Sequence, residues 1–355
     1  MKKLIGFISI LCLLFLFGCG GSGENKDTKA ASEKTGGSLV VYTPMETDHL
    51  QDYLSLFEKD HPEIKVETVR DSSGVITSRL LAEKNNPQAD IIIGMGVENL
   101  ILLDEEGMIE GYTPKHADKI VDMFADQKND PMKWVGSTGY MTTISVNTVE
   151  LEKKGLPIPK SYEDLLNPEY EGLISMPNPA SSGVGFVMVS LMLQMFDDEE
   201  KGWEYLDNLH DNIGAYTHSG SKPAVEAAKG EFPIGISFDG RSIQQEDSGA
   251  PLVTIFPEEG SGWTLEANSL VKKDNIKEEA RVFLDWAISE ETMRVNRNYY
   301  ALTGVDVDEP LHESYPKDPK EQLSDNDFYW SAENRERIID RWIKSYDSKS
   351  EAKEE

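Results

Sequence analysis

Two short runs, Ser72-Ser73-Gly74 and Ser181-Ser182-Gly183, stand where an apolar stretch gives way to a helical pattern. Residues of these types, so placed, suit oxyanion binding. The first N–H groups of a helix have no partner within it. They point where the macrodipole is positive. Serine hydroxyls add donors, and glycine lets an anion reach the backbone. The dipole contributes only ~0.3–1 kcal/mol, whereas each hydrogen bond to a charged oxygen contributes ~1.5–3 kcal/mol. Converging donors therefore matter more than the dipole. Ser ahead of a helix is also an ordinary cap, so it is the pairing of two such starts, in two similar halves, that points to an anion. Tyr42, Thr43 and Glu46 follow a third strand-like run and fall at an equivalent position.

A second group has the opposite sign. Glu46, Asp239 and Glu266 fall at or near strand ends, with Phe238, Trp263 and Tyr42 close by in sequence. Such carboxylates and rings can hold an ammonium by charge and cation–π contact. A solvated carboxylate is the ordinary role for any one of them in a chain with 64 acidic residues. Arg241 either pairs with Asp239 or reaches an anionic ligand, and His218 ends a strand where it can face a cleft or merely a loop. No GxSxG, HExxH or Walker A pattern is present, GVGFVM lacks the dinucleotide spacing, and the six histidines show no ligand spacing. No catalytic residue, metal site or cofactor is expected. A hydrolase using Glu46 and Asp239 would lack an accompanying nucleophile.

The elements that position these residues alternate. SLVVYTP (38–44), IKVETV (64–69) and ADIIIGM (89–95) read as strands, each followed by a helical pattern. A near-continuous apolar run such as ADIIIGM fits a sheet covered on both faces. After the β-like stretch 134–147 the rhythm restarts with GLISMP (172–177), IGISF (234–238) and LVTIF (252–256). This predicts an α/β protein of two lobes, each an open mixed sheet flanked by helices. Residues 38–142 and 266–345 form the first lobe, with C-terminal helices able to join either, and residues 143–265 form the second. Two extended crossings, near 140–147 and 257–268, join them. Residues 346–355 are expected to fray. Ligands of open α/β sheets sit beyond the carboxyl ends of strands, which is where the Ser-Gly runs fall.

The chain has 355 residues, 35 Lys plus Arg and 64 Asp plus Glu, for a net charge of −29. Such a surface repels phosphate backbones, so nucleic acid is excluded as a partner. Both cysteines, Cys12 and Cys19, lie in the first twenty residues, leaving the body without thiol chemistry. Residues 1–18 read as a signal peptide, with Lys2 and Lys3 ahead of an apolar run too short to span a membrane comfortably. Leu16-Phe17-Gly18-Cys19 resembles the bacterial lipobox, which implies lipidation of Cys19. Residues 19–37 read as a polar tether. Loss of Lys2 and Lys3 takes the charge from −29 to −31.

Lipobox, tether and two α/β lobes together resemble the solute-binding lipoproteins of ABC importers. VYTPMETDHL, VRDSSGVITSRLLAEKNNPQADII, THSGSKPAVEAAKGEFPIGISF and GWTLEANSLV are most similar to the group that binds 2-aminoethylphosphonate. The resemblance implies a periplasmic-binding-protein-like fold of type II with a two-strand hinge, an extracytoplasmic lipid-anchored monomer, and a membrane permease as partner. It implies a phosphonate at Thr43, Ser73, Gly74, Ser181, Ser182 and Gly183. The ammonium falls to Glu46, assisted by Asp239 or Glu266 and walled by Trp263 or Phe238. Ferric-ion binders of the same superfamily carry a tyrosine pair after a GE-x-P segment. GEFPIGISF has none, and Tyr299-Tyr300 lies too late to match. Phosphate and sugar phosphates remain alternative ligands.

Overall fold

The structure is a computed structural model and describes residues 37–352. The signal peptide, Cys19 and nearly all of the tether lie outside the described residues. In chain order the first elements are β1 (Ser38–Thr43), α1 (Thr47–Asp60), β2 (Lys65–Arg70), α2 (Ser73–Ala82), β3 (Ile91–Gly96), α3 (Val97–Glu105) and β4 (Ile109–Glu110). Then come β5 (Val135–Asn147), α4 (Thr148–Lys154), β6 (Ile174–Pro177), α5 (Gly183–Met195), α6 (Glu199–Asn212) and β7 (Ile213–Thr217). They are followed by α7 (Lys222–Lys229), β8 (Ile234–Phe238), α8 (Asp239–Asp247), β9 (Leu252–Ile255) and β10 (Trp263–Val271). The chain closes with α9 (Glu278–Ala287), α10 (Glu290–Arg297), β11 (Leu302–Thr303) and α11 (Phe328–Tyr346). This is the α/β, two-lobed architecture that the alternation predicts.

In the first lobe β1 pairs in parallel with β2 and β3, and β10 runs antiparallel between β3 and β5. Alternation along β1 sorts its side chains onto two faces. Leu39 and Val41 pack with Tyr53, Phe57, Phe283 and Trp286 from α1 and α9. Tyr42 packs on the other face with Ile76 and Leu80 of α2. In the second lobe β6 pairs in parallel with β7 and β8, over a core that includes Phe186, Trp203, Ile234 and Ile236.

The two sheets share β5, which changes partners at one point. Met141 pairs with Trp263 of β10, and the next residue, Thr142, pairs with Phe238 of β8. The second crossing is residues 256–262, where the Gly262 carbonyl accepts the Thr142 N–H at 2.6 Å. β10 joins the first sheet at Trp263, earlier than the boundary expected at 266.

The C-terminus departs from expectation. α11 spans both cores, with Ala332 in the first and Ile338, Trp342 and Tyr346 in the second. The tail expected to fray from 346 instead docks as far as it is described. Ser350 bridges to Tyr216 at the edge of β7, and the Glu351 N–H donates to the Tyr216 carbonyl at 2.9 Å. An unpaired strand edge offers backbone groups that a passing segment can satisfy, and a polar composition gives no sign of that. No helix of the described residues is long and apolar enough to cross a membrane.

Candidate functional site

A cleft of about 200 Å³ lies where the two lobes meet at the carboxyl ends of their strands. On one side it is lined by Ser72 and Ser73, which open α2, and on the other by Ser182, Gly183 and Val184, which open α5. Ser182 caps its helix by accepting the Gly185 N–H at 3.4 Å. The two helix starts face one another. The Gly74 N–H donates to the Ser181 carbonyl at 2.8 Å. Ser73 Oγ lies 3.0 Å from where a Cβ on Gly183 would stand, so a larger residue there would have to push the Ser73 side chain aside.

Two further elements complete this end. Arg70, the last residue of β2, lines the cleft and donates to the Met45 carbonyl at 2.6 Å. The loop after β7 contributes His218, Ser219 and Gly220. That loop is fixed from behind: the docked tail's Glu351 accepts the His218 N–H at 2.6 Å, and Ser237 Oγ donates to the Gly220 carbonyl at 2.8 Å. The opposite wall holds Tyr140, Phe238, Glu266 and Tyr300. Tyr140 and Phe238 have ring centroids 5.7 Å apart. Glu266 accepts from Thr138 Oγ1 at 2.6 Å.

The structure brings together Glu46, Ser73, Ser182, Gly183, Phe238 and Glu266 of the residues singled out in sequence. Gly74 and Ser181 form the contact between lobes and face an adjoining groove rather than the cleft. Tyr42 and Thr43 point elsewhere. The Tyr42 hydroxyl donates to Glu83 at 3.0 Å, and Thr43 is fully buried, its Oγ1 accepting the Met45 N–H at 3.1 Å. Trp263 donates from its indole to the Ser324 carbonyl at 2.8 Å and packs on Phe328. Asp239 is fully buried and accepts the Met141 N–H at 3.3 Å.

Strand geometry accounts for the split on β10. Trp263 and Glu266 stand three positions apart, an odd step, so alternation sends them to opposite faces. Trp263 joins the first core and Glu266 the cleft. Sequence reasoning missed Arg70, Tyr140 and Tyr300. Arg70 was signalled by its place at a strand end before Ser72. Tyr140 sits mid-strand and Tyr300 follows α10, and neither carries a local sign. Tyr300, set aside for its late position, lines the cleft, while the Tyr299 hydroxyl donates to Asp52 at 2.8 Å.

Charge in the cleft is arranged differently from expectation. Glu46 is held by two guanidiniums, Arg70 at 3.1 Å and Arg241 at 3.0 Å. Arg241 thus pairs with Glu46 and not with Asp239. Burial pushes the carboxyls of Asp239 and Glu266 up to about 7. It also raises Glu98 and the hydroxyls of Tyr140 and Tyr300.

Arg241 and Gln244 of α8 reach across to the start of α1, Gln244 donating to Asp48 at 2.6 Å. With Gly74–Ser181, this closes the cleft at two edges. Partly buried ion pairs of this kind contribute up to about 1 kcal/mol. Arg241→Ala leaves Glu46 paired with Arg70, so calorimetry should show ligand affinity about fivefold weaker, with faster release. Unchanged affinity and release would remove this latch from closure.

Three comparisons bear on this geometry. The family described as bacterial extracellular solute-binding protein matches residues 86–331. A protein of Haemophilus influenzae with no described function is 30% identical over 321 residues, 88% of this chain and 92% of its own. The probable ABC transporter periplasmic-binding protein y4fP of Sinorhizobium fredii is 23% identical over 72% of this chain and 71% of its own. Among solved structures, the periplasmic binding protein AfuA from Actinobacillus pleuropneumoniae, with fructose-6-phosphate bound, superposes with a TM-score of 0.80 at 29% identity. That match covers 87% of this chain and 98% of AfuA.

Proposed function

The chain belongs to the bacterial extracellular solute-binding protein family, and we propose that it captures a small phosphorylated solute between its lobes for an ABC importer. The family and its structural neighbours are binding proteins rather than enzymes, and the family is extracellular. The observation that carries the reading is the convergence of two helix starts from different lobes on one cleft. Their N–H groups and serine hydroxyls, with Arg70, offer donors to several oxygens of one phosphoryl group. The contacts expected at Thr43, Gly74 and Ser181 give way to Ser72, Ser73, Ser182, Gly183 and Arg70.

The organic part of the solute then meets Tyr140, Phe238, Tyr300 and Glu266. A hydroxylated tail suits this wall better than an ammonium, because Glu46 is already neutralised by Arg70 and Arg241. The reading therefore favours a sugar phosphate, as bound by AfuA, over 2-aminoethylphosphonate. Closure about the two crossings excludes water, which strengthens charge-assisted bonds. A permease reads the closed form. The lipid anchor at Cys19 belongs to the same proposal, and the mass of the mature N-terminus reports on it.

Calorimetry with fructose 6-phosphate, 2-aminoethylphosphonate, inorganic phosphate and fructose tests the assignment. Fructose 6-phosphate should bind most tightly and fructose not at all, with the sugar phosphate recovered intact after incubation. Binding of fructose with no phosphoryl preference, hydrolysis of the ester, or a tyrosinate charge-transfer colour with ferric ion in place of phosphoryl binding would each overturn it.

A further inference from the structure

An anion entering this cleft meets carboxylates as well as donors. Glu266, on β10, is 8% exposed and forms part of the wall. It faces Thr138 and Tyr140 from β5, Tyr300 from the segment before β11, Glu98 from α3, Glu46 from the start of α1 and Asp239 from α8. The nearby cations do not serve it: Arg70 and Arg241 hold Glu46. Glu98 accepts from Thr264 at 2.7 Å and interacts electrostatically with Arg335. Across the cleft stands His218. Among the described residues no cation pairs with Glu266. Of the cleft carboxylates it is thus the buried one left without a counter-charge; Asp71, which also lines the cleft, is exposed and accepts the Ser72 N–H at 2.8 Å.

We infer, on the reading that the guest is a phosphorylated solute, that Glu266 occupies the loaded cleft as a neutral carboxylic acid, taking one proton from solvent as the anion binds and donating it in a hydrogen bond to a guest oxygen. An ionised carboxylate in the same closed cleft as a phosphoryl dianion would add like-charge repulsion inside a water-poor space. A carboxylic acid turns the same group into a donor. Burial already brings Glu266 close to protonation at neutral pH, and an arriving anion raises its proton affinity further. Glu266 then sets specificity: it welcomes phosphate and hydroxyl oxygens and offers nothing to an ammonium. Linkage fixes the sign of the pH effect. Above neutral pH the free protein must pick up the proton on binding, so affinity falls as pH rises, by up to about tenfold per unit.

The test is calorimetry at about pH 8, where a phosphomonoester is already fully dianionic, in buffers of different ionisation enthalpy. The probes are fructose 6-phosphate, inorganic phosphate and 2-aminoethylphosphonate. Uptake approaching one proton per ligand is expected for whichever phosphoryl probe binds. Glu266→Gln, which keeps a donor of similar shape but no titrating proton, should lose both the uptake and the pH dependence. Asp239→Asn should keep the uptake. Binding without proton exchange, or uptake abolished only by Asp239→Asn, overturns the role of Glu266 and leaves the phosphoryl reading standing. Loss of affinity in Glu266→Gln without proton exchange in the parent points to an ionised Glu266 and also overturns it. Failure of all three probes to bind removes the phosphoryl reading, and this inference with it.

Discussion

Gly74→Ala should abolish tight ligand binding while leaving the unliganded protein as stable as before, or more so. A Cβ at this position would stand 2.3 Å from the Ala180 carbonyl oxygen and 2.8 Å from that of Ser181. Both are backbone atoms of the opposite lobe and cannot swing aside as a side chain would. The lobes can relieve the clash by separating about the two crossings, which leaves the paired strands within each sheet in place. An open cleft leaves the guest with donors from one lobe only. Loss of two charge-assisted hydrogen bonds, at ~1.5–3 kcal/mol each, corresponds to an affinity at least about 100-fold weaker. Alanine meanwhile improves helix propensity by up to about 1 kcal/mol, so the unliganded melting temperature should hold or rise. The two readouts move in different directions, which separates a failure to close from a failure to fold. Wild-type affinity in Gly74→Ala would show that the Gly74–Ser181 contact plays no part in capture.

The second large effect concerns charge. Ser182→Asp should bring binding below detection, a loss of at least about 100-fold. Asp is as good a helix cap as Ser, so α5 should form normally. Its carboxylate, however, would stand where the guest's negative oxygens gather, and opposed like charges cost several kcal/mol. Ser182→Asn supplies the control: similar size, cap retained, no charge, and affinity within about tenfold of the parent. Equal affinities for the Asp and Asn variants would place the anion elsewhere in the molecule.

These variants could be named because the helix starts were legible in the sequence. An apolar run followed by Ser-Ser-Gly fixes a strand end and a helix N-terminus without knowledge of tertiary structure, and in an open α/β sheet such points share an edge. Ser73, Ser182 and Gly183 reached the cleft for that reason. The aromatic wall was not legible. Trp263 and Tyr42 read as cleft residues from nearness in sequence, but strand alternation turned both into the first core. Tyr140 and Tyr300 entered from the middle of a strand and from a segment far along the chain, where only the finished packing decides what faces inward. The charges were half legible. Glu46 and Glu266 line the cleft as expected, but the pairing of Glu46 with Arg70 and Arg241 depends on contacts across 24 and 195 residues. The alternation of strands and helices predicted both lobes, whereas the docking of the tail on β7 depended on an edge no sequence pattern announces.

β5 has a consequence for how the protein comes apart. Its thirteen residues carry ladder bonds for both sheets, with the exchange of partners falling between neighbours in the chain. Neither lobe owns a complete sheet without it. A recombinant fragment cut at that junction would leave each half with a truncated strand and an exposed apolar edge. Denaturation should accordingly proceed as one cooperative event, with amide exchange along β5 among the slowest in the molecule.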